Sequence, residues 1–187
     1  MHKLTVLFLG LVLSAAAGAA EVAGVKLDDK VSLSGTDLVL NGAGVRGNPM
    51  MDIYVGALYV PNKQTSLSGV LGVTAPRRVQ MSLLIDATAD QLAPSFVGGL
   101  SKNHSKAEMD AMKAQVEQLV GIIRDIKDVK SGQALSFDFI PGTGTVVSHN
   151  GAARGTIAGD AFNSALLKIW LGEQPASESL KKSMLGG

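Results

Sequence analysis

From Ala134 to Ala158 the chain reads as three short strands joined by two tight turns, and this meander limits the fold more than any other stretch. Leu135, Phe137 and Phe139 alternate with Ser136 and Asp138, the period of a half-buried strand. Pro141-Gly142-Thr143-Gly144 turns the chain back into Thr145 to His149. Asn150-Gly151, a strong hairpin signal, turns it again into a third strand. Strands connected so tightly belong to an antiparallel sheet.

The N-terminal half supplies more strands. Val22 to Val31 and Thr36 to Asn41 flank a Ser34-Gly35 turn. Val45 to Pro61 is apolar and aromatic, broken at Gly47-Asn48-Pro49, with a strand from Asp52 to Val60. Arg78 to Ile85 alternates in part and reads as another strand. Between these strands and the meander lie two helical stretches. Thr88 to Leu100 opens on a capping pattern closed by Gln91, with Pro94 falling late for a first turn. Ser105 to Ile123 opens on a Ser105-Lys106-Ala107-Glu108 capping box. There Met109, Met112, Val116, Leu119, Val120 and Ile123 recur at helical spacing, so one face is apolar. A further helix runs from Asp160 to Leu171 and is ended by Gly172, with a last short one over Ala176 to Leu185. Strands in runs and helices segregated from them predict an α+β fold, an antiparallel sheet covered by helices on one face.

The first twenty residues predict an export signal. Lys3 supplies the positive start, Leu4 to Leu13 an apolar run, and Ala17 with Ala19, or Gly18 with Ala20, the small-residue cleavage pattern. The run is too short to span a bilayer, which needs ~20 apolar residues. The expectation is therefore a signal over residues 1–20, one domain over 21–187, a periplasmic or secreted location, and no stable membrane anchor after cleavage. The chain has no cysteine, so disulfides and thiolate metal sites are excluded. Seventeen Lys and Arg stand against sixteen Asp and Glu, and Lys3 of the signal accounts for the difference. A near-neutral domain lacks the basic footprint that nucleic acid demands.

No catalytic constellation is present. His2, His104 and His149 stand apart, without metal-ligand spacing, and no metal or cofactor is expected. Gly42-Ala43-Gly44-Val45-Arg46-Gly47 lacks the last glycine of a dinucleotide fingerprint and precedes no helix. It reads as a strand bend where glycines admit close backbone approach. Arg46 stands out within it, because a guanidinium in an apolar setting suits a carboxylate through two parallel hydrogen bonds. The alternative is an arginine paired with Asp52 or capping a sheet edge. Tyr54 and Tyr59, on the next strand, are five residues apart and face opposite sides of a regular strand. A bulge at Gly56 would change that; without one, only one of them shares a cavity with Arg46. Trp170, late in its helix, reads as a core anchor.

Leu40-Asn41-Gly42-Ala43-Gly44-Val45-Arg46 and Tyr54-Val55-Gly56-Ala57-Leu58-Tyr59-Val60-Pro61 stand first in a series of segments. Pro141 to Thr145, Ile157 to Phe162 and Lys168 to Gly172 continue it. In this order and spacing the chain resembles the chalcone-isomerase-like family, in its bacterial exported branch, over nearly all of the mature sequence. The resemblance implies an open-faced β-sandwich, a large antiparallel sheet with a layer of helices. Members include plant enzymes that cyclise chalcones and plastid proteins that bind fatty acids, and in both an arginine similar in position to Arg46 reaches the ligand. In the fatty-acid binders a tyrosine joins it at the carboxylate. Counting back from Gly56-Ala57-Leu58-Tyr59 implies Tyr54, and counting forward from Arg46 implies Tyr59. The isomerases also use a Tyr and an Asn on the first helix and a Ser or Thr on a later one. Leu92, Gly99 and Ile169 stand at those positions here. With only Arg46 left of that set, the expected function is non-catalytic binding of a small carboxylate or fatty-acid-like ligand in a sheet–helix cavity. The alternatives are an intramolecular lyase acting on a phenolic substrate, or an interaction module with a filled core. Protein partners are left unconstrained.

Overall fold

The computed structural model describes residues 19–187; the predicted export signal falls, up to residue 18, outside the described residues. Nine strands and six helices are described. β1 (Ala19–Val22) and β2 (Val25–Asp28) form a hairpin of their own. β3 (Lys30–Leu33), β4 (Thr36–Asn48), β5 (Met51–Val60), β6 (Arg77–Leu83), β7 (Ala134–Ile140), β8 (Gly144–His149) and β9 (Ala152–Ile157) make one antiparallel sheet in sequence order. The helices are α1 (Leu67–Gly72), α2 (Ala89–Asn103), α3 (Lys106–Ala111), α4 (Lys113–Ile126), α5 (Asp160–Leu171) and α6 (Glu178–Met184).

Several elements differ from the sequence reading. The strand expected from Val22 to Val31 is interrupted twice: Ala23 and Gly24, both at positive φ, turn β1 into β2, and Asp29 separates β2 from β3, which belongs to the larger sheet. β4 continues from Thr36 to Asn48 where the sequence suggests a stop at Asn41. Register shifts between Leu40 and Gly42 and between Arg46 and Gly47 absorb the irregularity as bulges. The helix expected from Ser105 to Ile123 is divided at Met112, whose φ of −102° and ψ of 14° leave the helical region. Thr88 and Ser105 do carry the expected capping boxes, and Pro94 lies inside α2.

The two faces of the sheet bury different things. In β5, Tyr54, Leu58 and Val60 join the main core with α2, α4, α5 and α6, while Val55, Ala57 and Tyr59 join a smaller core under the β1–β2 hairpin. This is period-two alternation with both faces covered. Beyond the hairpin, the same outer face becomes polar: Arg78 pairs with Asp138, and Gln80 with Ser136 and then Ser148 across β6, β7 and β8. One face layered with helices and the other only partly covered is an open-faced β-sandwich.

α6 closes the helical layer over β4 and β5, and the glycines of those strands let it in. A methyl group at Gly42 would overlap the Ser183 carbonyl oxygen, and one at Gly44 would lie 2.7 Å from the Ser183 Cβ. At Gly56 it would meet both Leu180 methyls at 3.1 Å. The buried Asn41 side chain ties the same junction, donating to the Met184 and Gln64 carbonyls and accepting from the Gln64 amide. The glycine-rich segment is thus a helix-docking surface.

Candidate functional site

At the end of the sheet where β4 and β5 meet their hairpin turn, sheet and helices do not fill the space between them. A cavity of about 430 Å³ opens there. Its walls are Ile53, Met81 and Leu83 from the sheet side, Leu92 and Phe96 from α2, and Ile169 and Trp170 from α5. Phe96 and Trp170 also belong to an aromatic cluster with Phe137, at centroid separations of 5.1 to 6.2 Å, which packs α2 and α5 against β7 behind this wall. A module with a completely filled core is not what this end of the molecule contains.

Arg46 and Tyr54 supply the polar part of the wall. They are cross-strand partners on β4 and β5, so their side chains leave the same face of the sheet. The Arg46 guanidinium carbon stands 5.7 Å from the centre of the Tyr54 ring, within cation–π range. Arg46 is half-buried and, among the described residues, makes no ion pair and no side-chain hydrogen bond. The alternative pairing with Asp52 is therefore not formed: Asp52 lies in register with Gly47, and the bulge separates it from Arg46.

Tyr54 is 4% exposed, and its hydroxyl oxygen accepts a hydrogen bond of 3.0 Å from Trp170 Nε1. An indole N–H only donates, so the tyrosine proton remains free to donate elsewhere. Burial pushes the Tyr54 hydroxyl up to about 12, a shift that the Arg46 charge and the Trp170 bond only partly offset. The wall therefore presents a cation and a neutral O–H donor beside apolar side chains. That donor pair recognises an anionic oxygen pair.

Of the two tyrosines left open by the sequence, the structure brings only Tyr54 to Arg46. Tyr59 is 1% exposed in the opposite core and sits beside Arg78 on the outer face, so it is corrected out of the cavity. The bulge near Ile53 falls beyond Tyr54 and does not alter the alternation between the two tyrosines. Burial, and the Asp28 carboxylate after it, push the Tyr59 hydroxyl up to about 12 as well.

Leu92, Gly99 and Ile169 all line the cavity. Gly99 lies against Ile169, where an added methyl would come within 3.0 Å of the Ile169 side chain. The lining also includes Asp86, Gln91, Ser95, Lys102 and Gln174, none of which the sequence reading proposed as a site residue. Trp170, expected only as a core anchor, is both that and the hydrogen-bond partner of Tyr54. A buried indole needs an acceptor, and that requirement was the available signal. Asn103, the last residue of α2, ties two of the lining residues together by donating to the Gly99 and Gln174 carbonyls and accepting from the Gln174 amide.

Fold and cavity together define a small α+β protein of the open-faced sandwich class, with a hollow between its sheet and its helices. The chain belongs to the chalcone isomerase-like family, whose sequence model matches residues 19–186. Among solved structures, it is similar to the crystal structure of a fatty-acid binding protein from Arabidopsis thaliana. The TM-score is 0.64 and the sequence identity 13%, over 87% of this chain and 92% of that one. At that identity the likeness speaks for the fold. No curated protein matches the chain in sequence.

Proposed function

We infer that this protein is a non-catalytic binder of a small carboxylate or fatty-acid-like molecule, exported to the periplasm or beyond after loss of residues 1–20, in a bacterial branch of its family. One observation carries the reading: a half-buried arginine without an acidic partner among the described residues stands at an apolar cavity beside a tyrosine donor. A carboxylate placed there accepts from the Arg46 guanidinium and from the Tyr54 hydroxyl. The apolar remainder lies along Leu83, Phe96 and Ile169, where burial contributes ~25 cal/mol per Å². The fatty-acid ligand of the Arabidopsis protein, carried over by analogy of fold, fits the same chemistry.

Catalysis finds less support. Ring closure of a phenol needs an oriented oxyanion and fixed donors around the developing charge. Leu92, Gly99 and Ile169 carry no group that can hold water or move a proton, and they face the same hollow as Arg46.

Native mass spectrometry of the protein purified from cells, together with titration of hexadecanoate into delipidated protein, tests the reading. A carboxylic-acid adduct and saturable binding that Arg46→Ala weakens are expected. Absence of an adduct together with identical binding by wild type and Arg46→Ala would overturn it. Turnover of a chalcone above its spontaneous rate, lost in Arg46→Ala, would replace binding with catalysis.

A further inference from the structure

We propose that the tip of the β4–β5 hairpin is the contact through which this protein meets a lipid bilayer, so that the cavity beside it loads from the membrane. The proposal rests on the carboxylate-binding reading above. Among the described residues, the large hydrophobic side chains left exposed are Met50, at 88%, and Met51, at 48%. They are neighbours at a single turn. Elsewhere among the described residues the Leu, Ile, Phe and Trp side chains are buried or half-buried, so this pair is a local exception.

The turn is built to project them. The Asn48 side-chain oxygen accepts from the Met50 amide at 2.9 Å and from the Met51 amide at 3.0 Å, and Pro49 fixes one backbone angle between them. Asn48 and Met51 close the strand ladder at the same point. The two thioether chains therefore stand on a hydrogen-bonded hairpin tip, and their unbranched, adaptable side chains suit a disordered apolar surface.

Position decides the occupant. Arg46 lies two residues before Asn48, and Tyr54 three residues after Met51. At ~3.3 Å per residue the tip stands about 10 Å from the polar wall of the cavity. Apolar groups seated at the headgroup–acyl boundary would hold that wall at the outer edge of the headgroup layer, about 10 Å from the level of a fatty-acid carboxylate. Two side chains cover far less than the ~800 Å² per partner of a stable protein interface. They suffice for a brief apolar contact with lipid. Once Lys3 is lost with the signal the domain is formally neutral, which adds little attraction to anionic headgroups, so the contact is apolar in origin and reversible. Among the described residues no helix is long and apolar enough to cross a membrane.

The single tryptophan, Trp170, lines the cavity and reports its loading directly. Unliganded protein is mixed in stopped flow with phosphatidylcholine vesicles carrying cis-parinarate, and quenching of Trp170 is followed. Wild-type loading should accelerate with vesicle concentration. Met50→Ser/Met51→Ser should load from vesicles roughly tenfold more slowly, yet bind parinarate from vesicle-free solution as wild type does. Equal loading from vesicles by both proteins, or a rate independent of vesicle concentration, overturns the proposal and leaves the binding reading intact. If neither protein takes up parinarate from solution, the binding reading fails. Vesicle flotation of the unliganded proteins then decides the tip separately: equal retention of both overturns it, and loss in the double variant alone upholds it. Vesicle-independent loading joined to a specific cross-link from position 50 to one protein would assign the tip to a protein partner and also overturn the proposal.

Discussion

Trp170 Nε1 donates to the Tyr54 hydroxyl oxygen across 3.0 Å, joining the end of α5 to the strand that carries the candidate site. The bond occupies an acceptor position on the phenol and leaves its proton free to donate. Trp170 thereby orients the second donor of the site without itself carrying charge.

Removing that acceptor should cost stability. Tyr54→Phe leaves a buried indole N–H unpaired, a loss of about 1–3 kcal/mol in denaturant unfolding. Trp170→Phe on the same background removes the orphaned donor too. The double variant should therefore show a bond contribution that is non-additive, measurable in a double-mutant cycle. Strict additivity would mean that the bond does not form.

Arg46 should matter for ligand and little for folding, because it has no ion pair among the described residues. Arg46→Ala is expected to weaken hexadecanoate binding roughly 10- to 100-fold, as loss of a charge-assisted hydrogen bond does. Binding of the methyl ester should change little, and so should the thermal midpoint. A large drop in the midpoint with equal losses for acid and ester would make Arg46 a packing residue.

Gly42→Ala should loosen the C-terminal helix. The added methyl collides with the Ser183 carbonyl, a backbone atom that cannot swing aside, so α6 must shift off β4 at about 1–3 kcal/mol. Hydrogen exchange should show faster opening of Leu180 to Leu185 than of β7 and β8. Uniform acceleration across the chain would argue against a local effect.

Both tyrosines of the sequence are held neutral by burial, with folded-state values of about 12 for Tyr54 and Tyr59. An unfolded tyrosine ionises near ~10. The unfolded chain thus loses these protons first, and stability declines as pH rises from about 10 through about 12. Absorbance at phenolate wavelengths should stay flat in the native protein through pH 10 and rise together with alkaline unfolding. A native phenolate signal by pH 10 would contradict the buried placement.

Much of the architecture was legible because local signals carried it. The alternation of Phe137 and Phe139 with Ser136 and Asp138 marked a strand but not its burial, since Ser136 and Asp138 are buried as well; Asn150-Gly151 fixed a hairpin, and the capping residues Thr88 and Ser105 marked helix starts that the structure reproduces. The split at Met112 and the extension of β4 to Asn48 were not legible. Periodicity does not register a single backbone departure, and a bulge lets a strand pass a point where its alternation fails.

The candidate site divides in the same way. Arg46 could be singled out by residue type in its setting, and the sequence determined that only one tyrosine could join it, because five residues along a regular strand reverse the face. Which one was decided only by the register of β4 on β5: opposite Arg46 stands Tyr54, while Tyr59 is turned under the β1–β2 hairpin. The Trp170 partnership, the hollow beside Leu92, Gly99 and Ile169, and the docking of α6 on Gly42 join residues far apart in the chain. Their separations are set by how sheet and helices pack, and no local pattern of side chains contains that distance.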